Sequence, residues 1–230
     1  PEPAGDEVRT TQVLSNHLGQ AGMELSEWDD LHGLIADVNT TAEVDSHIAI
    51  RADIDCVQVE DEKDVDWRST RDGCCHACGH DAHVAILMGA AEFLAKNRRN
   101  LKGNVMLIFQ PAEEGAPEGE GGGAEMMLAE GIFDRYKPDV IFGLHVTNSL
   151  HGHIGVVPGP AMAASSSYRI TIHGVQAHGS RPWDSIDPIM ATAQLIESLN
   201  TVVSRRINII NNPAVISVGM VKAGTRNNII

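Results

Sequence analysis

The chain has 230 residues, of which 43% are hydrophobic and 21% charged, an ordinary composition for a globular protein with a substantial core. Its formal net charge of −14 at pH 7 argues against a nucleic-acid partner, because an acidic surface repels phosphate backbones. No apolar run in the sequence reaches the ~20 residues that a membrane span requires, so we expect no membrane partner.

The four cysteines favour a reducing compartment over a disulfide framework. Cys74, Cys75 and Cys78 are clustered beside histidines, a pattern more typical of metal chemistry than of secreted disulfide-rich domains. The start of the chain, at Pro1, shows no secretory leader pattern, and we expect that it has been trimmed. We therefore expect free thiols and a cytoplasmic location.

Predicted helices and strands alternate along the first two thirds of the chain. Apolar spacing predicts an amphipathic helix over residues 8–21 and strands over 33–39 and 47–53. A helix over 82–96, with Asp81 as its N-cap, and a buried strand over 104–110 follow. The remaining predictions are a glycine-rich loop over 115–123, a helix over 124–135 and a strand over 139–145. This order predicts an α/β sheet with helices on its faces.

The sequence changes character at Pro158-Gly159-Pro160, which predicts a hinge into a second unit. There we predict a strand over residues 166–173, a helix over 187–205 and a strand over 214–222. A unit of this size would bury its apolar face poorly by itself. We therefore expect the chain to be part of a longer protein.

The most informative stretch is His76-Ala77-Cys78-Gly79-His80-Asp81. It combines thiol, imidazole and carboxylate groups, which are the ligands that a divalent metal such as zinc takes in proteins. Structural zinc sites prefer closed sets of Cys and His, whereas catalytic sites include carboxylates. Because the other candidate ligands are carboxylates and a single histidine, we expect a catalytic metal site.

Those other candidates follow predicted strands. Asp53 and Asp55 lie at the end of one strand, Glu113 and Glu114 follow another, and His145 ends a third. Ligand sites of α/β sheets lie at the carboxyl ends of the strands, so we expect one pocket to collect these side chains. Of two adjacent carboxylates, one can bind metal while the other accepts a proton. We expect the other histidines to be structural or to lie on the surface, namely His76, His83, His151, His153 and His173.

Three motifs, in this order and spacing, carry a family resemblance: His76-Ala-Cys-Gly-His-Asp-Ala-His83, Gln110-Pro-Ala-Glu-Glu-Gly115 and Gly143-Leu-His-Val146. Together they resemble the metallopeptidase family of aminoacylases, carboxypeptidase G-like enzymes and plant auxin-conjugate hydrolases, known as peptidase family M20. The closest similarity is to its amidohydrolase branch, which includes hippurate hydrolases and indole-acetyl-amino-acid hydrolases.

The resemblance implies a two-domain α/β protein. Its catalytic domain, expected over residues 1–162, would have three layers around a mixed, mainly parallel sheet. A smaller inserted α/β lid domain, of which residues 163–230 would be the first half, would join two copies into a homodimer.

The resemblance also implies roles for individual residues. Cys78, His80, Glu114 and His145 would be ligands of two divalent metal ions, zinc or manganese, with Cys78 bridging them.

Four further residues would act around the metals. Glu113 would be the general base and acid, and Asp55 would orient a ligand. His178 would polarise the substrate carbonyl, and Asn228 would contact the substrate near its carboxylate.

The expected function is metal-dependent hydrolysis of the amide bond in N-acyl amino acids or small peptides. One alternative is a fragment or pseudoenzyme that binds ligand without turnover, because the family has a further ligand histidine that this chain lacks. The other is a thiol enzyme that uses Cys75 or Cys78 as its nucleophile.

Overall fold

A computed structural model describes residues 1–40, 46–115, 121–134 and 137–230. Their contacts divide the chain into two units, Pro1–His151 and Gly152–Ile230. The expected domain boundary after residue 162 stays a prediction. Within the described ranges, no helix is both long enough and apolar enough to cross a membrane.

The first unit is built on a five-stranded mixed sheet with the order β1-β2-β4-β3-β5. The strands are β1 (Glu24–Ser26), β2 (Leu34–Val38), β3 (His47–Asp53), β4 (Asn104–Gln110) and β5 (Val140–Gly143). Strand β3 pairs in parallel with both β4 and β5, whereas β2 pairs antiparallel with β1 and β4. Strands β3, β4 and β5 therefore all end at the same edge of the sheet.

Helices cover both faces of this sheet. On one face α1 (Val8–Gln20) and α2 (His80–Lys96) pack on a core that includes Leu107 and Phe109 of β4. On the other, α3 (Gly123–Ala129) contributes Met127 to a cluster with Met106 and Ile108 of the same strand. Because successive residues of a strand point to opposite faces and both faces are covered, β4 is buried from Val105 to Gln110. The predicted three-layer α/β fold is confirmed.

The predicted start of α2 is wrong by two residues. The N-cap is Gly79, whose φ of 93° is left-handed and strongly favours glycine, and Asp81 lies inside the first turn. Strand β1 was not predicted, since three residues are too few to show a period. Residues 116–120 of the predicted glycine-rich loop and Arg135 of the predicted third helix lie outside the described residues.

In the second unit the predicted helix is confirmed and the two predicted strands are wrong. Helix α4 (Pro188–Arg206) begins after Asp187, whose carboxylate accepts the backbone N–H groups of Ile189 and Met190. Residues 166–173 and 214–222 form no strand, although both segments are fully described. Sequence pattern predicts extended backbone, but a strand also needs a hydrogen-bonded neighbour.

Candidate metal centre

Polar side chains gather where the three parallel strands end. Asp53 is the last residue of β3, Glu113 and Glu114 follow β4, and His145 follows β5. The N-terminus of α2 brings His80 to the same edge, where its ring contacts Asp55. All of these residues belong to the first unit.

His80 is held in one tautomer by Asp55. Its Nδ1 lies 3.0 Å from both the backbone oxygen and the Oδ1 of Asp55, and since these atoms are acceptors, Nδ1 donates. The lone pair is therefore on Nε2, which is buried and has no hydrogen-bond partner among the described residues. Burial lowers the pKa of His80, but the bond to Asp55 and the surrounding carboxylates outweigh it and raise the pKa above its usual value.

Carboxylates surround this unpartnered nitrogen. Oxygens of Asp53, Glu114 and Glu113 lie 3.6, 3.6 and 3.8 Å from the Nε2 of His80. These separations exceed hydrogen-bond length, and the carboxylate oxygens repel the Nε2 lone pair unless a proton or a metal ion lies between them, which is also why they raise the pKa of His80. The arrangement therefore fits a bound cation.

Cys78 and His145 complete the donor set. The Nδ1 of His145 lies 2.7 Å from the backbone oxygen of Val146 and must donate to it, so the lone pair is again on Nε2. That Nε2 lies 3.3 Å from the Sγ of Cys78. Burial and the neighbouring Glu114 raise the pKa of the Cys78 thiol to about 12. A divalent metal would reverse this effect, since coordination deprotonates a thiol.

Asp55 connects the histidine to the glutamate pair. Besides contacting His80, it accepts the backbone N–H of Glu114 at 2.8 Å through Oδ2. Asp55 itself is completely buried, whereas the side chains of Glu113 and Glu114 are 40% and 27% exposed. Glu113 is therefore the more open of the two carboxylates to solvent and to a substrate.

Three overlapping groups place their ligand atoms within 4.8 Å of one another: Cys78, His80 and His145; His80, Glu113 and Glu114; and Asp53, His80 and His83. The first two groups contain the four residues that the sequence indicates as ligands. Sulfur, imidazole nitrogen and carboxylate oxygen form a donor set suited to zinc and related divalent ions. The residues present therefore fit a metal centre.

His83 belongs to this site, although the sequence suggested a structural or surface position. It is 3% exposed, and its Nδ1 lies 2.6 Å from Asp53. The predicted helix began after His80 and therefore gave no such signal, whereas the observed α2 contains both histidines three residues apart, which places the two rings on one face. Arg51, whose guanidinium lies 2.6 Å from the Oδ2 of Asp53, was also not predicted to contribute.

His178 and Asn228 lie in the second unit. The Nδ1 of His178 accepts the backbone N–H of Ser180 at 3.1 Å. The next residue, Gly179, donates its N–H to the backbone oxygen of Asn228 at 2.9 Å. The structure thus brings these two predicted substrate contacts together, and their roles stay predictions.

Two known proteins and one solved structure are similar to this chain over its whole length. A crystal structure of the Bacillus subtilis YXEP protein, described as a dinuclear metal-binding peptidase from the M20 family, aligns with a TM-score of 0.69 and 34% identity, covering 100% of this chain and 57% of that one. N-acetylcysteine deacetylase of Bacillus subtilis is 40% identical over 100% of this chain and 59% of its own length. Thermostable carboxypeptidase 2 of Saccharolobus solfataricus is 36% identical over 100% of this chain and 57% of its own.

The chain thus spans less than two thirds of the length of these relatives. The family model for peptidase family M20/M25/M40 matches residues 49–224, which include every residue of the metal-centre groups described above. The family expected from the three sequence motifs is confirmed, and the chain belongs to peptidase family M20/M25/M40.

Proposed function

We propose that the protein containing this chain is a metal-dependent amidohydrolase that cleaves the amide bond of N-acyl amino acids or small peptides. The observation that carries the proposal is the unpartnered Nε2 of His80, which faces three carboxylates. The similarity of the chain to a deacetylase and a carboxypeptidase supports N-acyl amino acids and small peptides as substrates.

Cys78, His80, Glu114 and His145 would hold two divalent ions, zinc or manganese. When bound, such ions lower the pKa of water and polarise a substrate carbonyl. The chain prepares for them by fixing both imidazoles with Nδ1 protonated, so that each presents a lone pair at Nε2. This preorganisation lowers the entropic cost of assembling the site.

Glu113 is the proposed general base and acid. Its partial exposure lets it reach water and substrate, while Glu114 beside it is held by the bond from its backbone N–H to Asp55. A carboxylate in this position takes a proton from the attacking water and delivers it to the leaving amine. Asp55 positions His80 and Glu114 together.

The remaining assignments concern the substrate and the assembly. We propose that His178 polarises the substrate carbonyl and that Asn228 contacts the substrate carboxylate. A homodimer joined through the second unit, and a cytoplasmic location, are part of the same proposal. The family resemblance supports the substrate contacts and the homodimer, and the clustered cysteines support the cytoplasmic location.

A thiol enzyme is the weaker alternative. A thiol pKa of about 12 leaves Cys78 protonated at neutral pH, and Cys75 is buried. A binding protein without turnover is also disfavoured, since the relatives compared above are named as a deacetylase, a carboxypeptidase and a peptidase.

The test is metal uptake and hydrolysis by the intact protein and its Glu113→Gln variant. Calorimetry on metal-free protein should show uptake approaching two zinc or manganese ions in both, whereas hydrolysis of N-acetyl amino acids by the variant should fall about 10²–10⁴-fold. Glu92→Gln is the matched control, because Glu92 lies on α2 about 18 Å further along the helix than His80.

Two results would contradict parts of the proposal. Undiminished turnover by Glu113→Gln would remove Glu113 from its role. Absence of metal uptake by the unaltered protein would remove the proposed function itself.

A further inference from the structure

His83 makes two hydrogen bonds that use both of its ring nitrogens. The backbone N–H of Val146 donates to its Nε2 at 2.9 Å. Because Nε2 accepts there, the ring proton is on Nδ1, which donates to the Oδ1 of Asp53 at 2.6 Å. His83 therefore has no lone pair left for a metal ion, even though it lies in a cluster with Asp53 and His80.

The segment held by His83 is the one that carries His145. The carbonyl of Val146 accepts the Nδ1 proton of His145 at 2.7 Å, while the N–H of the same residue is bound by His83. Both polar backbone groups of Val146 are therefore used, one on each histidine. A continuous series of hydrogen bonds thus connects Asp53, His83, Val146 and the ring of His145.

Packing holds the same segment from a second direction. A Cβ atom added at Gly79 would lie 2.3 Å from the Cγ2 of Val146, so the Val146 side chain rests directly on the Gly79 backbone. Gly79 is between Cys78 and His80 in the chain. The loop after β5, which carries His145, therefore packs against the turn that carries Cys78 and His80.

Asp53, at one end of this series of hydrogen bonds, is also held in place. Asp53 is 1% exposed and receives the Arg51 guanidinium at 2.6 Å. Its two oxygens have separate partners, because Oδ1 accepts from His83 and Oδ2 accepts from Arg51. Asp53 is thus held in place as the acceptor for the Nδ1 proton of His83.

We infer that Asp53 and His83 form a positioning pair that fixes the tautomer and direction of His145 for metal binding, and that His83 is not itself a ligand. The inference rests on the proposed function, because it assigns His145 to a metal. Groups that orient a ligand histidine commonly contribute 10–100-fold to metal affinity.

The experiment uses Co²⁺ as the probe, titrated into the intact metal-free protein and three variants. His83→Ala removes both hydrogen bonds, His83→Gln keeps an acceptor for the Val146 N–H, and His17→Ala removes an exposed histidine on α1 as the matched control. Absorption of Co²⁺ bound by the Cys78 thiolate reports the site independently of activity.

We expect His83→Ala to weaken Co²⁺ binding about 10–100-fold with an unchanged number of ions at saturation. His83→Gln should recover a large part of that affinity, and His17→Ala should bind as the unaltered protein does. Thermal unfolding of the metal-free proteins separates this effect from a general loss of stability, and the Gln variant provides the test if the Ala variant does not fold.

Equal Co²⁺ affinity in His83→Ala and the unaltered protein would overturn the inference while leaving the proposed function intact. If only His83→Gln folds, one ion fewer at saturation in that variant is the result that would overturn it. Loss of one ion at saturation, with no recovery in His83→Gln, would overturn it by making His83 a ligand. No Co²⁺ binding by the unaltered protein would overturn the inference and the proposed function together.

Discussion

Glu7 is a fully buried carboxyl group next to the candidate metal centre. Its Oε1 accepts the backbone N–H of Ala112 at 2.8 Å, and its Oε2 has no hydrogen-bond partner among the described residues. Ala112 has a φ of 48°, which is uncommon for a residue with a side chain, and it directly precedes Glu113. Glu7 thus supports the strained turn that leads into the glutamate pair.

Stability should depend on pH through this residue. Burial raises the pKa of Glu7, so the folded protein holds its proton more tightly than the unfolded chain does. The stability linked to that proton is complete below the unfolded pKa and is lost as pH rises through the folded pKa. Glu7→Gln keeps an acceptor for Ala112 and cannot ionise, so it should raise the free energy of unfolding at pH 7.

Denaturant unfolding at pH 7 and at pH 5 checks this expectation. The difference between Glu7→Gln and the unaltered protein should shrink at the lower pH, and a difference that is independent of pH would contradict it. Glu7→Ala is the companion variant. It leaves a buried N–H without an acceptor, which costs about 1–3 kcal/mol, and its loss of stability relative to the unaltered protein should be larger at pH 5 than at pH 7.

At the scale of elements, the start of α2 carries two candidate ligands and contacts the segment that carries a third. Gly79 combines a left-handed backbone with direct contact to the Val146 side chain. Gly89, in the middle of the same helix, has no atom within 4 Å of the position that a Cβ would take. The two glycines therefore form a matched pair in which only the first is required by its surroundings.

Substitution by alanine should separate the two positions. Gly79→Ala should destabilise the protein by more than about 1 kcal/mol, since it adds strain at positive φ and displaces Val146. Gly89→Ala should stabilise it by about 0.5–1 kcal/mol, because alanine favours a helix interior. Thermal unfolding measures both, and a Gly79→Ala protein as stable as the unaltered one would contradict the tight contact.

The helices and the central strands were predictable because their signals are local and periodic. Helix α4 and strand β4 appear at their predicted positions. The predicted strands over 166–173 and 214–222 were wrong because a pattern of apolar residues does not supply a pairing partner. The N-cap of α2 is Gly79 instead of the predicted Asp81, because backbone geometry rather than side-chain capping decides that position.

At the scale of the whole molecule, the candidate ligands come from separate elements. Cys78 and His80 lie at the start of α2, Glu114 follows β4 and His145 follows β5. A metal bound by all of them would connect these elements in the folded state only. Metal binding and folding are therefore expected to be thermodynamically linked.

Removal of metal should lower the melting temperature of the intact protein. Free metal at 100 times the Kd stabilises a single site by about 2.7 kcal/mol, and chelation by EDTA would remove that contribution. Glu113→Gln should lose as much stability on chelation as the unaltered protein, whereas Cys78→Ser should lose less. An unchanged melting temperature after EDTA treatment of the zinc-loaded protein would contradict the linkage.

The sequence by itself determined the family, the α/β class and the candidate donor residues, because motifs of a few residues carry the chemistry and periodicity carries the elements. The family resemblance implied that Asp55 orients a ligand, but only the tertiary structure decided that His83 and Glu7 support the same site. His83 reaches Val146 across 63 residues, and Glu7 reaches Ala112 across 105. The sheet order β1-β2-β4-β3-β5 and the helices packed on the sheet bring these distant residues together, and no local sequence pattern encodes that order.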